Sequence, residues 1–206
     1  MEMNIHVIFY AIAYLSGAIP FGLILAKTFA GVDIQSAGSK SIGATNVLRV
    51  VKEVNPSLAK KLGAATLALD ALKGIIVLAI GWMLSLPESV LWGCAVLAVI
   101  GHCFSPFLNF EGGKGVATGF GVFAFMIPQA VIVGFLVWIA LGKLLKISSL
   151  ASLSGLAATV AASYLLYPSL GNLHSHVPVI LIALLIIYKH IPNIIRLLKG
   201  EESRAI

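Results

Sequence analysis

The chain has 206 residues, of which 59% are hydrophobic and 11% charged, and its formal net charge is +6. Soluble domains carry roughly 25% charged residues, so this composition excludes an ordinary soluble globule and predicts an all-α polytopic membrane protein. The alternation expected of an outer-membrane barrel is absent. The positive balance needs no nucleic-acid partner, because basic residues at an inner membrane surface serve topology and meet anionic lipids.

The first predicted span runs from Asn4 to Ala26 and ends at Lys27. Its start, MEMN, carries an acid where a signal peptide would be basic, and its apolar run is long, so it is expected to remain as a span. A polar region follows, GVDIQSAGSKSIGATNVLRVVKEVNPSLAKK. A second span rises from about Leu62 to Leu86 and stops at the turn signal Leu86-Pro87-Glu88. A third, about Ser89 to Phe107, empties into FEGGKG. It holds Cys94 and Cys103, which nine helical positions set about 13 Å apart, beyond disulfide reach; both read as buried apolar side chains. From Val116 to Gly142 no residue is charged, and Pro128 divides the stretch into one kinked helix or two short ones. A further span, about Ser148 to Tyr167, leads to the uncharged loop PSLGNLHSHVP and then to a last span ending near His190.

Lysine and arginine favour the cytoplasmic ends of spans. With the N-terminus outside, two short helices turning outside at Pro128 return Lys143 and Lys146 to the cytoplasm. All 14 Lys and Arg residues then lie in cytoplasmic segments or inner halves of spans, while Glu2 and Glu88 lie outside. The expected architecture is seven transmembrane helices in a single domain over 1–206, N-terminus outside and C-terminus cytoplasmic. The helices flanking Pro128, at about 13 residues each, cover only about 20 Å of the hydrocarbon core.

Three polar segments fall on the inner face of this layout. In GGKGVAT, Gly112, Gly113 and Gly115 let backbone N–H groups converge on an anion beside Lys114, with a helix N-terminus behind them. The same glycines equally suit a tight re-entry into the membrane, and the stretch is no nucleotide P-loop, since no Ser or Thr follows the lysine. In SAGSKSIGATNVLR, which echoes it, Ser39, Thr45 and Asn46 offer neutral hydrogen bonds and Arg49 a planar fork suited to phosphate. In KHIPNIIRLLKGEE, His190 and Asn193 are spaced i, i+3, so a helical exit places both on one face; Glu202 follows Gly200. Each segment alone also reads as a solvated loop or an interfacial anchor, but two basic glycine-rich loops on one face favour a shared phosphate-binding floor. Asp70 and Lys73, i, i+3 in the second span, are expected as a supporting ion pair. His102 is a second histidine candidate at the inner end of the third span. His174 and His176 are given no chemistry, and no metal ligand set is seen.

GSKSIGATNVLR, GHCFSPFLNFEGGKGVATG and HIPNIIRLLKGEE, in that order and over nearly the whole chain, resemble the bacterial integral-membrane glycerol-3-phosphate acyltransferases that use acyl phosphate. LDALKG resembles a further recurring element of that family. The resemblance implies a seven-span protein of the bacterial cytoplasmic (inner) membrane, with its active site facing the cytoplasm. It implies transfer of an acyl chain from acyl phosphate to glycerol 3-phosphate, giving lysophosphatidic acid for phospholipid synthesis; no cofactor or metal is expected, because cationic side chains can serve the anions. By residue it implies Ser39, Arg49, Lys114 with its flanking glycines, His190 and Asn193 in the site, and Glu202 as structural. Lys40-Ser41 departs from the family's usual Gly-Asn. A small transporter of phosphorylated solutes is the alternative from another class, since it too wants basic, glycine-rich elements around short helices; it requires ligands reachable from both sides.

Overall fold

The computed structural model describes residues 4–204, so Glu2, expected outside, lies beyond the described residues. Among them every regular element is helical. Ten α-helices run in chain order: α1 Ile5–Ala18, α2 Phe21–Ala30, α3 Ala44–Val54, α4 Pro56–Met83, α5 Glu88–Cys103, α6 Val116–Met126, α7 Pro128–Leu145, α8 Ser148–Leu166, α9 Val177–Lys189 and α10 Ile191–Leu198. Five stretches are long and apolar enough to cross a membrane: 5–30, 56–83, 88–108, 128–145 and 148–166. α9 and α10 count as a sixth if taken as one span, although the chain bends by 59° between them, and α6 is a shorter apolar helix.

Local sequence accounts for the breaks. Pro20 lacks the N–H that would continue α1, so the first span is two helices with an interruption at Ile19-Pro20, not one run to Ala26. The region expected to be loop before Leu62 contains α3. Its buried residues Val47, Val50 and Val51 follow an i, i+3, i+4 stripe that seals a small core with Leu23, Ile34 and Leu62. Asn55 caps the next helix, accepting from the Leu58 N–H at 3.1 Å, with Pro56 at its first position. The second span therefore begins six residues earlier than its hydropathy indicates.

Pro128 divides two helices that fold back on each other. Phe120 and Phe135 have ring centroids 5.3 Å apart, whereas fifteen positions along one continuous helix would separate them by about 22 Å. The halves are unequal, 11 and 18 residues, where equal short helices were expected. Only α6 is short.

Small residues set the helix spacing, as they do where lipid supplies no hydrophobic drive between helices. A Cβ on Gly17 would run into the Ala98 backbone, and one on Gly101 into that of Tyr14, so α1 and α5 lie with their backbones in contact. Gly134 does the same for α7 against Thr159 of α8. The main core gathers on α5, where Trp92, Cys94, Ala95, Val99 and Cys103 are all buried; both cysteines are free. At the end of the bundle where α5 begins, Glu88 accepts from the Asn172 N–H at 3.2 Å, and His176 stacks on Tyr164 at 4.0 Å. The glycine-rich segments collect at the other end.

Candidate active site

The first glycine-rich loop, 36–43, is held by one side chain. Asn46, buried in the first turn of α3, accepts from the Ser39 N–H at 2.8 Å and donates to the carbonyls of Ile34 and Ser41 at 2.8 and 2.9 Å. Its amide is thus consumed by the loop, and the neutral hydrogen bond expected of it toward a ligand goes to backbone instead. What the loop presents is the hydroxyls of Ser39 and Ser41 and, one turn into α3, the Arg49 guanidinium. Thr45 pairs with Ser148 of α8 at 3.1 Å, tying the loop to the opposite wall. Lys40 sits at φ 57°, in the left-handed region where a side chain is strained.

The second loop is held by backbone. The Gly112 N–H donates to the Cys103 carbonyl at 3.1 Å and the Gly113 N–H to the His102 carbonyl at 2.9 Å, capping the end of α5. Lys189 adds its ammonium to the Cys103 carbonyl at 3.0 Å. These two glycine N–H groups therefore do not converge on an anion as expected. Both residues are glycine because a Cβ on Gly112 would strike the His102 carbonyl and one on Gly113 the His102 ring. Gly115, at φ 81°, turns the chain into α6. Lys114 is left between the capped end of α5 and the first N–H groups of α6, and Gly115, Val116 and Ala117 line the cavity beside it.

The third segment closes the site from the far side. His190 stands at the bend between α9 and α10, its Nδ1 donating to the Ile186 carbonyl at 2.8 Å. Asn193 lies in the first turn of α10, and both are buried and border one cavity. Lys114 donates to Asn193 Oδ1 at 2.7 Å, and Asn193 donates in turn to Glu202 at 2.6 Å. Glu202 also accepts from Ser149 at 2.7 Å and from Arg196 Nε at 2.6 Å. One carboxylate thus joins α8, α10 and the following segment. Its partial burial works against the charge, but the hydrogen bonds from Ser149, Asn193 and Arg196 outweigh this and hold its pKa below the ordinary value. Burial pushes the Lys114 ammonium down to about 8; Glu202 opposes the shift, while Arg196 and Arg49 add to it.

Bordering the same cavity is a deeply buried polar cluster. Asp70, Lys73 and His102 are exposed by only 1%, 4% and 3%. Lys73 donates to Asp70 Oδ1 at 2.8 Å, to the Ile19 carbonyl at 3.0 Å, and meets His102 Nδ1 at 2.9 Å. The expected ion pair is present, and His102 belongs to it. The cluster also caps α1, whose break at Pro20 frees the Ile19 carbonyl.

Two cavities meet here. A polar one of about 130 Å³ is bordered by Ser39, Arg49, His102, Lys114, His190 and Asn193. An apolar one of about 300 Å³ lies between α4, α6, α7 and α8, with Phe123, Val131 and Thr159 in its lining. Leu67, Val116, Ala117, Trp138 and Ser152 border both. Phe135 stacks on Trp138 at 5.8 Å and meets Phe120 at 5.3 Å, forming an aromatic side to the apolar cavity. A third, open cavity of about 690 Å³ adjoins the polar one through Ser39, Arg49, Lys114, Asn193 and Arg196. Sequence reasoning missed Arg196, Ser149 and Trp138. Arg196, i, i+3 from Asn193, was within reach of the same spacing argument; the other two carry no signal except in three dimensions.

The fold and site define a helical integral membrane protein with a cationic pocket at one end of the bundle, open to an apolar cavity between its helices. The chain belongs to the glycerol-3-phosphate acyltransferase family, whose family model matches residues 7–200. It is 61% identical over 203 residues to a glycerol-3-phosphate acyltransferase of Aliarcobacter butzleri, covering 98% of each chain, and 59% identical to that of Sulfurimonas denitrificans, again covering 98% of each. Crystal structures of PlsY (YgiH), an integral membrane glycerol 3-phosphate acyltransferase, superpose with TM-scores of 0.85 for the glycerol 3-phosphate form and 0.84 for the lysophosphatidic acid form. They are 35% identical to this chain and cover 98% of it, and 96% and 95% of their own chains are matched.

Proposed function

We propose that the protein transfers an acyl chain from acyl phosphate to a hydroxyl of glycerol 3-phosphate, producing 1-acyl-glycerol 3-phosphate (lysophosphatidic acid) and phosphate for phospholipid synthesis. The observation that carries this reading is the junction of the two cavities: a phosphate head with an apolar tail needs cations on one side and a greasy slot on the other. The solved relative's glycerol 3-phosphate and lysophosphatidic acid forms correspond to the acceptor and product of this reaction. An acyl group attached directly to phosphate fits this junction, with its head among the cations and its tail in the slot.

In this mechanism the acyl tail lies between α4, α6, α7 and α8, and its carbonyl sits at the mouth near Trp138. Glycerol 3-phosphate arrives through the open cavity, where Arg49 and Arg196 meet its phosphate. The hydroxyl oxygen attacks the carbonyl carbon; an ester C–O bond forms, the anhydride C–O bond breaks, and phosphate leaves. Lys114, held by Asn193, offsets the charge that develops on carbonyl and leaving group, while Ser39 and the loops fix the reactants at attack distance. The hydroxyl proton passes to a phosphate oxygen or to His190, whose Nδ1 is committed to the Ile186 carbonyl. Glu202 and Asn46 hold the walls.

The proposed topology counts α6 and α9 as spans, seven in all, and sets the N-terminus outside the bacterial inner membrane, so that this end of the bundle meets the cytoplasm, where glycerol 3-phosphate is dissolved; the basic residues gathered at this end support that orientation. Purified protein in detergent or nanodiscs is to be given glycerol 3-phosphate with acyl phosphate, acyl-CoA or acyl-carrier protein. Monoacyl product and phosphate are expected with acyl phosphate alone; product only from a thioester overturns the donor, and none from any donor overturns the reaction.

A further inference from the structure

We propose that His102 is a neutral hydrogen-bond donor to the phosphate of the acyl phosphate, its proton placed on Nε2 by the ammonium of Lys73. The proposal rests on the reaction proposed above. A lysine ammonium has three protons and no lone pair. Lys73 directs them to three acceptors: Asp70 Oδ1 at 2.8 Å, the Ile19 carbonyl at 3.0 Å and His102 Nδ1 at 2.9 Å. Nδ1 must therefore be the bare nitrogen, which leaves the ring proton on Nε2. Asp70 Oδ1 lies 3.7 Å from Nδ1, too far to claim a proton there.

Nε2 has no hydrogen-bond partner among the described residues. It is not sealed either, since the buried polar atoms left without a partner are those of Trp92 and Thr118. It stands against Gly113, where a Cβ would collide with it. The missing Cβ leaves room at Nε2, and His102 is part of the polar cavity's wall with Lys114 and Gly115. A polar side chain that is 97% buried, fixed at one nitrogen and free at the other, is a ligand donor. Asp70 reaches the same wall, but with Lys73 it forms a neutral pair, so the wall repels no anion. His102 borders the polar cavity and not the open one. The phosphate it meets is therefore the one whose tail enters the apolar cavity, and the acceptor's phosphate lies beyond its reach.

Kinetics and spectroscopy test this separately. His102→Phe keeps the ring and removes both nitrogens; it should raise KM for acyl phosphate by roughly tenfold or more, the scale of one hydrogen bond to an ion, and leave KM for glycerol 3-phosphate within about twofold. His102→Gln, which restores an N–H near the Nε2 position, should recover most of the loss. An unchanged KM for acyl phosphate, or equal losses for both substrates, overturns the assignment. If the phenylalanine variant does not fold, ¹⁵N-histidine-labelled wild-type protein decides. The His102 resonance, identified by its loss in His102→Gln, should show a bare Nδ1 and an Nε2 proton that shifts on adding a non-hydrolysable acyl phosphonate. A protonated Nδ1, or an Nε2 proton indifferent to the phosphonate, overturns it. Wild-type turnover of acyl phosphate is measured alongside: its absence overturns the reaction itself, and its presence with an unmoved His102 signal overturns only the role given to this residue.

Discussion

The loops at 36–43 and 109–115 share glycines, a central lysine and a following Ala-Thr, yet their backbones are held by different groups. In the first, a side chain, Asn46, satisfies backbone donors and acceptors from Ile34 to Ser41. In the second, the loop's own N–H groups cap α5, and the ring of His102 is packed on Gly113. The first loop is therefore a frame that offers hydroxyls and a guanidinium from the helix behind it. The second is a strut that offers a single lysine. Similar strings of residues divide the work of binding between side chain and backbone in opposite ways, and each should fail in its own manner.

Lys114→Ala should break the contrast most severely, lowering kcat/KM by on the order of 10²-fold or more if the ammonium meets transition-state charge. Near-normal turnover in a folded variant removes it from the mechanism. Asn46→Ala strips the first loop of its frame without touching a ligand. It should cost on the order of 2 kcal/mol through orphaned backbone groups, read as a lower Tm, and should depress kcat/KM about tenfold through misplacement of Ser39 and Arg49. An unchanged Tm would show that the loop holds itself.

The pH dependence sharpens the comparison. With Lys114 pushed down to about 8 from an ordinary 10.5, kcat/KM should fall as pH rises through about 8, as the ammonium loses its proton. Stability should move the other way: between about 8 and 10.5 the unfolded chain holds a proton that the folded chain has released, so raising pH over that window favours the fold. Lys114→Arg, always charged, should flatten the activity profile up to pH 10. The smallest effect is expected of Lys40→Gly. Relieving the left-handed backbone at φ 57° should stabilise by about 1 kcal/mol and leave activity within about threefold, measured by Tm and kcat.

Much of this was legible in the residues. Long apolar runs marked most of the spans, and the three polar segments, spread from Gly38 to Glu202, were expected to meet and do. The i, i+3 spacing put His190 and Asn193 on one face, and both line the pocket even though a bend falls between α9 and α10. The use of Gly112 and Gly113 was not legible, because only the position of α5's end decides whether their N–H groups face a carbonyl or a ligand. Nor was α3, whose stripe of Val47, Val50 and Val51 is obscured by the loop composition before it, although the periodicity was there to read. The apolar cavity has no linear signature at all, since its walls come from single positions on several helices.

Trp138 stands where the greasy and the charged compartments meet, with Phe135 stacked on its indole. The chain's other tryptophans, Trp82 and Trp92, lie elsewhere, one 66% exposed and the other packed in the core. A change in ultraviolet emission on ligand addition would therefore originate at this threshold. Replacing Trp82 and Trp92 by phenylalanine would turn the molecule into its own optical gauge, able to time arrival of the chain and departure of the ester without any attached dye.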